Sequence, residues 1–317
     1  MITPLSSHTG TEVTGVDLTL PVDAALREQL NRAFVEHSVL VFRDQHLSPR
    51  QLLDAVQLFG EVFPQHNTRF ALPECPQIHY ISNQDFYPDG RRYIPGEGYH
   101  TDHSNAAEPP KATVLHAVQL PDRGGDTQFV NMQRAYEALY EPMRQRIDGL
   151  RAIHVYQSRH SERKLMALNE TARQRVPDAV LHPLVRTHPE SGRKAIYLNP
   201  IRIEGLVGME ESEALSLLDE LLAHATQPQY EYRHQWRQGD MVMWDNRCLL
   251  HKANGDYDMG QVRYLYRIML KGDVPVRHAI ASEAKQSGSR STPPSWPALG
   301  RHTAADLRPH SDALRRR

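Results

Sequence analysis

Two short motifs in opposite halves of this chain constrain its fold more than any other feature. Tyr99-His100-Thr101-Asp102 lies in the first half, and Trp244-Asp245-Asn246-Arg247 leads to His251 in the second. A histidine and an aspartate one residue apart can reach one ion, because residues i and i+2 of an extended strand share a face. A distant histidine completes the facial ligand set that suits non-heme Fe(II). The fold is therefore expected to bring His251 to the other two.

Taken alone, a histidine and an aspartate at this spacing are more typical of a hydrogen-bonded pair on the surface. Thr127 and Arg263, which follow the two motifs, favour the metal interpretation. A threonine and an arginine can hold a dicarboxylate against a metal ion, and a guanidinium suits a carboxylate by its planar shape. A closed structural metal site needs no such contacts. The sequence thus predicts an oxygenase centre with open coordination positions.

The composition narrows the classes of partner. The chain has 317 residues with 37 Lys+Arg and 38 Asp+Glu, so no strong field attracts nucleic acid or an anionic membrane surface. No apolar run approaches the roughly 20 residues of a membrane span, and the N-terminus shows no secretory signal. Cys75 and Cys248 are in no paired motif, which predicts a reducing, cytoplasmic location. The expected partner is a small-molecule substrate.

Hydrophobic periodicity and turn residues outline the elements. Helices are predicted over 23–37, from Ser48 onward, and over 131–147 and 210–226. Strands are predicted at 38–42, 78–81, 112–119, 127–130, 184–187, 195–198, 230–236, 240–244 and 262–270. A hairpin-type connection is expected between 230–236 and 240–244, and the polar stretch 158–183 is interpreted as a surface insertion or lid. Many short strands with few long helices predict a mainly β fold with a double-stranded β-helix, or jelly-roll, core and helices packed outside it.

The last part of the chain differs in composition. Residues 282–317 are rich in Ser, Pro, Ala and Arg and contain little apolar material. Such a segment cannot bury enough surface to offset the entropy lost on ordering. One domain is therefore predicted over 1–275, followed by a disordered tail over 276–317.

As a set, the motifs resemble those of the taurine dioxygenase / 2,4-dichlorophenoxyacetate dioxygenase family. The residues that carry the resemblance are Tyr99-His100-Thr101-Asp102, Gly124-Gly125-Asp126-Thr127, Phe129, Trp244-Asp245-Asn246-Arg247, His251, Arg263 and Arg267. It extends roughly from Thr9 to Pro275. It implies a jelly-roll enzyme that uses Fe(II) as cofactor and 2-oxoglutarate and O2 as co-substrates, and that releases succinate and CO2. A homo-oligomer is common among similar enzymes.

The resemblance also implies roles for five residues. His100, Asp102 and His251 would be the iron ligands. Thr127 would hydrogen-bond a carboxylate of 2-oxoglutarate, and Arg263 would pair with its distal carboxylate.

On the substrate side the resemblance is looser. Arg267 would bind the anionic group of the substrate, with a structural salt bridge as the alternative. Pro95-Gly96-Glu97-Gly98 stands where taurine enzymes carry an asparagine, so a different pocket is expected, with Tyr99, His103 and Asn105 as candidate substrate contacts. The implied substrate is a small anion: a sulfonate, an alkyl sulfate or an aryloxyalkanoate. The alternatives are an oxygenase that tailors an amino acid or natural product, and a non-catalytic metal-binding jelly-roll protein.

Overall fold

The computed structural model describes residues 1–65, 68–87, 90, 92–93 and 95–277. The predicted tail therefore lies outside the described residues from position 278 onward. Val276 and Arg277, just beyond the predicted end of the domain, both accept hydrogen bonds from Thr187 through their carbonyl oxygens. In the described part of the chain, no helix has the length and apolar character needed to cross a membrane.

Sixteen strands and six α-helices are found in the described residues. The strands are β1 Ile2–Pro4, β2 Thr11–Val13, β3 Val39–Phe42, β4 Ala71–Leu72, β5 Cys75–Ser82, β6 Ala112–Gln119, β7 Thr127–Asn131, β8 Arg151–His154, β9 Val180–Pro183, β10 Val185–Thr187, β11 Lys194–Ile196, β12 Ile203–Leu206, β13 Glu231–His234, β14 Met241–Asp245, β15 Leu249–Ala253 and β16 Tyr264–Leu270. The helices are α1 Ala24–His37, α2 Pro49–Val56, α3 Met132–Glu137, α4 Glu141–Ile147, α5 Glu170–Arg175 and α6 Glu211–Ala225. The fold is mainly β, as predicted.

The strands form one large sheet and three small ones. The large sheet has the order β1-β2-β3-β14-β6-β16-β5-β4, and only the pair β2–β3 is parallel. The small sheets are β13-β7-β15, β12-β8-β9 and β10-β11. The candidate ligand His251 lies on β15, at the edge of the first small sheet.

Both faces of the large sheet are buried. Along β3, Val39 and Val41 belong to the hydrophobic cluster that includes Phe129 of the small sheet, whereas Leu40 and Phe42 belong to the cluster that includes the helices α1 and α2. Alternate residues of a strand point to opposite faces, so one strand serves both clusters. The large sheet is thus a middle layer, with a small sheet on one side and helices on the other.

The helix predictions at the N-terminus are confirmed. Asp23 caps α1 by accepting a hydrogen bond from the Leu26 N–H, and Ser48 and Gln51 form a capping box at α2.

Two predictions were wrong. The single helix expected over 131–147 is two helices, α3 and α4, because Pro142 lacks an N–H and fits only the first turn of a helix. The hairpin expected across Arg237-Gln238-Gly239 is not one: β13 pairs with β7, and β14 lies between β3 and β6 in the large sheet. Local turn residues favoured a hairpin, but burial in two different sheets decided the pairing.

Candidate active site

The fold brings the three predicted ligands together. The potential ligand atoms of His100, Asp102 and His251 all lie within 4.8 Å of one another. The two histidines also pair through the main chain: the His100 N–H donates to the His251 carbonyl at 3.0 Å, and the His251 N–H donates to the His100 carbonyl at 2.8 Å. The backbone, rather than a side chain, therefore sets the distance between the two rings.

The His-x-Asp segment is not a regular strand. Only His100 forms a bridge, and the chain turns from Asp102 onward, with His103 at a φ of 46°. The carboxylate of Asp102 is held in place by Thr113, whose hydroxyl donates to Asp102 Oδ2 at 2.6 Å. The other oxygen of Asp102 remains available to an ion.

The electrostatics of the three groups suit a metal. Burial, with the nearby His251, lowers the pKa of His100 well below its ordinary value, and burial lowers the pKa of His251 to about 4. Burial opposes ionisation of Asp102, but His251 and His100 nevertheless hold its pKa below the ordinary value. At neutral pH the site therefore offers two neutral imidazoles and one carboxylate.

One contact sets the tautomer of the first histidine. His100 Nδ1 lies 2.9 Å from the carbonyl oxygen of Gly98. A carbonyl can only accept, so this contact favours a proton on Nδ1 and leaves Nε2 as the ligand atom. The donor set and its geometry thus fit an Fe(II) ion.

A second group of potential ligands differs in a decisive way. His188, Asp245 and Cys248 are also close together and buried. Asp245, however, already accepts from Arg247 at 2.6 Å and from His188 at 3.0 Å, and burial raises the pKa of the Cys248 thiol. A carboxylate that already accepts hydrogen bonds from two side chains and a protonated thiol are poor metal ligands. This cluster therefore stabilises the turn between β14 and β15 instead.

The two residues predicted to hold a dicarboxylate line the same cavity as the metal ligands. The Thr127 hydroxyl accepts from Trp236 Nε1 at 3.0 Å, which leaves its own proton free to donate. Arg263 is 5% exposed, and its Nε donates to the Gly125 carbonyl at 3.0 Å. Its Nη2 has no partner among the residues described. Burial lowers the pKa of Arg263 only to about 10, so the buried guanidinium is charged at neutral pH and can bind an anion.

The glycine pair before Thr127 is required by close packing. Gly125 has a φ of +70°, and a Cβ there would lie 3.0 Å from Nε of Arg263. At Gly124 a Cβ would lie 2.4 Å from the carbonyl oxygen of Asp256. A side chain at Gly124 would displace the backbone of Asp256, and a side chain at Gly125 would displace the Arg263 side chain.

The predicted substrate residues divide into two groups. Arg267, His103 and Asn105 line the cavity. Arg267 Nη2 donates to Gln65 Oε1 at 2.7 Å, and Asn105 Oδ1 is buried with no partner in the described chain.

Tyr99 is not among the described residues that line the cavity. Its hydroxyl donates to Glu231, and the ammonium group of Lys252 lies 4.5 Å from its ring centroid. Its contacts are with Glu231 of β13 and Lys252 of β15, so Tyr99 packs against the small sheet that carries His251.

Four further residues of the site were not found from the sequence. Thr113 and Trp236 act through Asp102 and Thr127, and neither lies in a recognisable motif. Arg163 and Arg202 line the cavity from loops. Arg163 belongs to the polar stretch 158–183, which was interpreted as a surface insertion or lid. Nothing in the sequence of that stretch indicated that one of its arginines faces the cavity.

Comparison with known proteins agrees with this geometry. Residues 1–269 match the family described as Taurine catabolism dioxygenase TauD, TfdA family. The chain is 34% identical over 286 residues to a (S)-phenoxypropionate/alpha-ketoglutarate-dioxygenase of Sphingobium herbicidovorans, covering 88% of this chain and 98% of the relative. It is 33% identical over 280 residues to an alpha-ketoglutarate-dependent sulfate ester dioxygenase of Pseudomonas putida, covering 86% and 90%.

Solved structures show the same similarity. A taurine dioxygenase from Burkholderia xenovorans superposes with a TM-score of 0.74 at 35% identity, covering 87% of this chain and 90% of that one. The sequence match and the shared architecture extend over the whole region that carries the candidate site. The chain therefore belongs to the TauD, TfdA family and is an Fe(II)- and 2-oxoglutarate-dependent dioxygenase.

Proposed function

We propose that this dioxygenase hydroxylates a small organic anion with an apolar body, such as an aryloxyalkanoate, an alkyl sulfate or a sulfonate. One observation carries the proposal: Arg267 lines the same cavity as the predicted iron ligands, and Phe70, Tyr93 and Met166 line it as well. A cation and an aromatic and apolar wall recognise the two parts of an amphipathic anion.

The assignment of roles follows from the contacts. His100, Asp102 and His251 would hold Fe(II), and the bound ion would supply O2 activation coupled to oxidative decarboxylation of 2-oxoglutarate. Thr127 would hydrogen-bond a carboxylate of this co-substrate and Arg263 would pair with its distal carboxylate, because the hydroxyl proton and the Nη2 donor have no partner in the described chain.

The chain itself contributes orientation and exclusion of water. Arg267 would fix the anionic end of the substrate, so that one C–H bond is presented to the metal. Gln65 holds the Arg267 guanidinium and fixes the direction of its remaining donors. The neutral imidazoles hold no proton to lose at the ligand atoms, so metal binding at neutral pH requires no proton release from them.

The jelly-roll architecture is part of the proposal. A cluster shared by the large sheet and by β13-β7-β15 supports two facing sheets, with the site at the end of the layer between them. Cys75 and Cys248 are buried free thiols, which supports action in a reducing compartment such as the cytoplasm.

Anaerobic titration with Fe(II) and 2-oxoglutarate tests the proposal directly. We expect the visible charge-transfer band of the chelate, and we expect its loss in His100→Ala and Asp102→Ala. A panel of phenoxyacetates, alkyl sulfates and sulfonates, read by succinate release, should then identify the substrate class. A protein that binds neither the ion nor 2-oxoglutarate would contradict the assignment of the site.

A further inference from the structure

The cavity contains more positive charge than the proposed function uses. Besides Arg263 and Arg267, it is lined by Arg163 from the polar stretch 158–183 and by Arg202 from the loop before β12. In the described residues, Arg163, Arg202 and Arg267 form no ion pair with a carboxylate. Unpaired cations in a protected cavity are costly, and they are retained where an anion binds.

Arg202 is fixed in position. It is 9% exposed, and its Nη1 donates to the carbonyl oxygen of Tyr156 at 2.8 Å. The guanidinium carbon lies 5.3 Å from the centroid of the Tyr156 ring, and the Tyr156 hydroxyl donates to the Met166 carbonyl at 2.7 Å. One nitrogen and one face of the guanidinium are thereby occupied, and its remaining donors have a set direction.

Arg163 lies close to the same place. Its Nε and Nη1 are buried, and they have no partner in the described structure. Burial lowers the pKa of Arg202 to about 10, with Arg163 and Arg267 as its cationic neighbours. At this pKa Arg202 is still charged at neutral pH, so Arg163, Arg202 and Arg267 bring three cations to the cavity besides Arg263.

The carboxylates of the cavity are already committed. Asp102 is a predicted iron ligand. Asp85, the other carboxylate in the lining, is bonded to Tyr80 and interacts with Arg69. Arg263 is assigned to 2-oxoglutarate. The charges of Arg163, Arg202 and Arg267 therefore remain for the substrate, and a monoanion would neutralise only one of them.

We propose that the substrate carries two anionic groups, one bound by Arg267 near the metal and the second bound jointly by Arg163 and Arg202. The second group is a carboxylate, sulfate or phosphate, separated from the first by an apolar or aromatic spacer. Tyr156, Leu165 and Met166 line the cavity and would contact that spacer. This inference rests on the proposed function, and it adds a second specificity-determining site to it.

The test compares matched pairs of ligands that differ in one charge. Phenoxyacetate is paired with 4-carboxyphenoxyacetate, and hexyl sulfate is paired with 6-sulfooxyhexanoate. Binding to the anaerobic complex with Fe(II) and 2-oxoglutarate is measured from the shift of its charge-transfer band, without turnover. In at least one pair we expect the dianion to bind about tenfold or more tightly than the monoanion, because charged hydrogen bonds contribute at least this factor.

Variants then locate the second group. Arg202→Gln and Arg163→Gln should each remove most of the dianion's advantage and change monoanion binding by less than about threefold. Arg202→Lys, which keeps the charge, should retain part of it. Arg175→Gln, on the exposed face of α5 in the same stretch, is the matched control and should change neither. If Arg202→Gln does not fold, Arg163→Gln still decides.

Two different failures are distinguishable. Absence of the charge-transfer band would contradict the proposed function itself. A normal band with no tighter binding of either dianion, or an equal loss for monoanions and dianions in both variants, would overturn the second anionic site and leave the proposed function intact.

Discussion

Arg263 donates one guanidinium N–H to Gly125 and has another nitrogen without a partner in the described chain. If that nitrogen binds the distal carboxylate of 2-oxoglutarate, Arg263→Gln should weaken 2-oxoglutarate binding by about 10- to 100-fold, the range for a hydrogen bond to a charged group. Anaerobic titration of the charge-transfer band measures the affinity. The control Arg123→Gln, at an exposed position on the loop that carries Gly125, should bind 2-oxoglutarate as the parent does. Unchanged affinity in Arg263→Gln would assign the co-substrate to other residues.

We expect the free energy of unfolding to depend on pH through His182. It is 2% exposed, its Nε2 lies 2.9 Å from the Ala106 carbonyl, and burial lowers its pKa from 6.5 to about 4. Because the folded state favours the neutral ring, this contribution is complete above pH 6.5 and is lost as the pH falls toward 4. The loss at pH 5 is about 2 kcal/mol relative to pH 7.5.

The variant His182→Gln keeps a donor for Ala106 and removes the titrating ring. The difference in unfolding free energy between pH 7.5 and pH 5, measured with urea, should shrink by about this 2 kcal/mol. His46→Gln, at an exposed position, should leave the difference as it is in the parent. An unchanged difference in His182→Gln would mean that other groups account for the acid sensitivity.

Single residues were predictable where the chemistry demands a particular residue type. The predicted iron ligands His100, Asp102 and His251 are of the residue types that a facial Fe(II) site uses, so their spacing in the sequence carries the signal. Arg202 could not be found in this way, because arginine is common on surfaces and only the fold turns it toward Tyr156. Trp236 could not be found either, because it lies in the loop after β13 and its contact with Thr127 of β7 is distant in sequence.

The turn between β14 and β15 is held by the buried ion pair of Asp245 with Arg247. Asp245 is 0% exposed and bonds both Arg247 and His188. Asp245→Asn would leave the Arg247 cation with only the half-exposed carboxylate of Glu190 as its partner, and the free energy of unfolding should fall by about 3 kcal/mol. Urea unfolding measures this, and Asp219→Asn on the exposed face of α6 is the control.

The pH dependence of this contribution has a definite sign. Burial disfavours the ionised carboxylate of Asp245, but Arg247 and His188 hold its pKa below the ordinary value of 3.8. Its stabilisation is therefore complete above that value, and it is lost only as the pH falls through the lower pKa of the folded state. The cost of Asp245→Asn should accordingly be the same at pH 6 and pH 8. A cost that fades between these two values would contradict the ion-pair explanation.

Elements were predictable where local signals agreed with the final packing. α1 has its Asp23 cap and α2 has Ser48 before its proline, so both were predicted near their true start. The strand β15, which carries His251, was missed because Leu249–Ala253 is short and follows a turn without a clear boundary. The sheet to which β13 belongs was not predictable either, since strand pairing is decided by contacts distant in sequence.

At the scale of the whole molecule, the chain end offers a clear test. Residues 278–317 have the composition of a segment that cannot form a core. A protein that ends at Arg277 should therefore unfold within about 0.5 kcal/mol of the full chain. A protein that ends at Gly272 loses the contacts of Thr187 with Val276 and Arg277, and it should be less stable by about 1 kcal/mol or more. Equal stability of the two truncated proteins would contradict this.

The main-chain pairing of His100 with His251 has a consequence for how the protein and its metal meet. Main-chain hydrogen bonds, and not the ion, set the spacing of the two rings, so the metal site should be formed before the ion binds. Treatment with a chelator should leave the far-ultraviolet circular dichroism unchanged, and it should lower the unfolding midpoint only by the linkage expected for a ligand that binds the native state. Activity should return within the mixing time when Fe(II) is added back. Loss of secondary structure on chelation would contradict a preformed metal site. An enzyme built in this way could exchange its iron many times without ever passing through the unfolded chain.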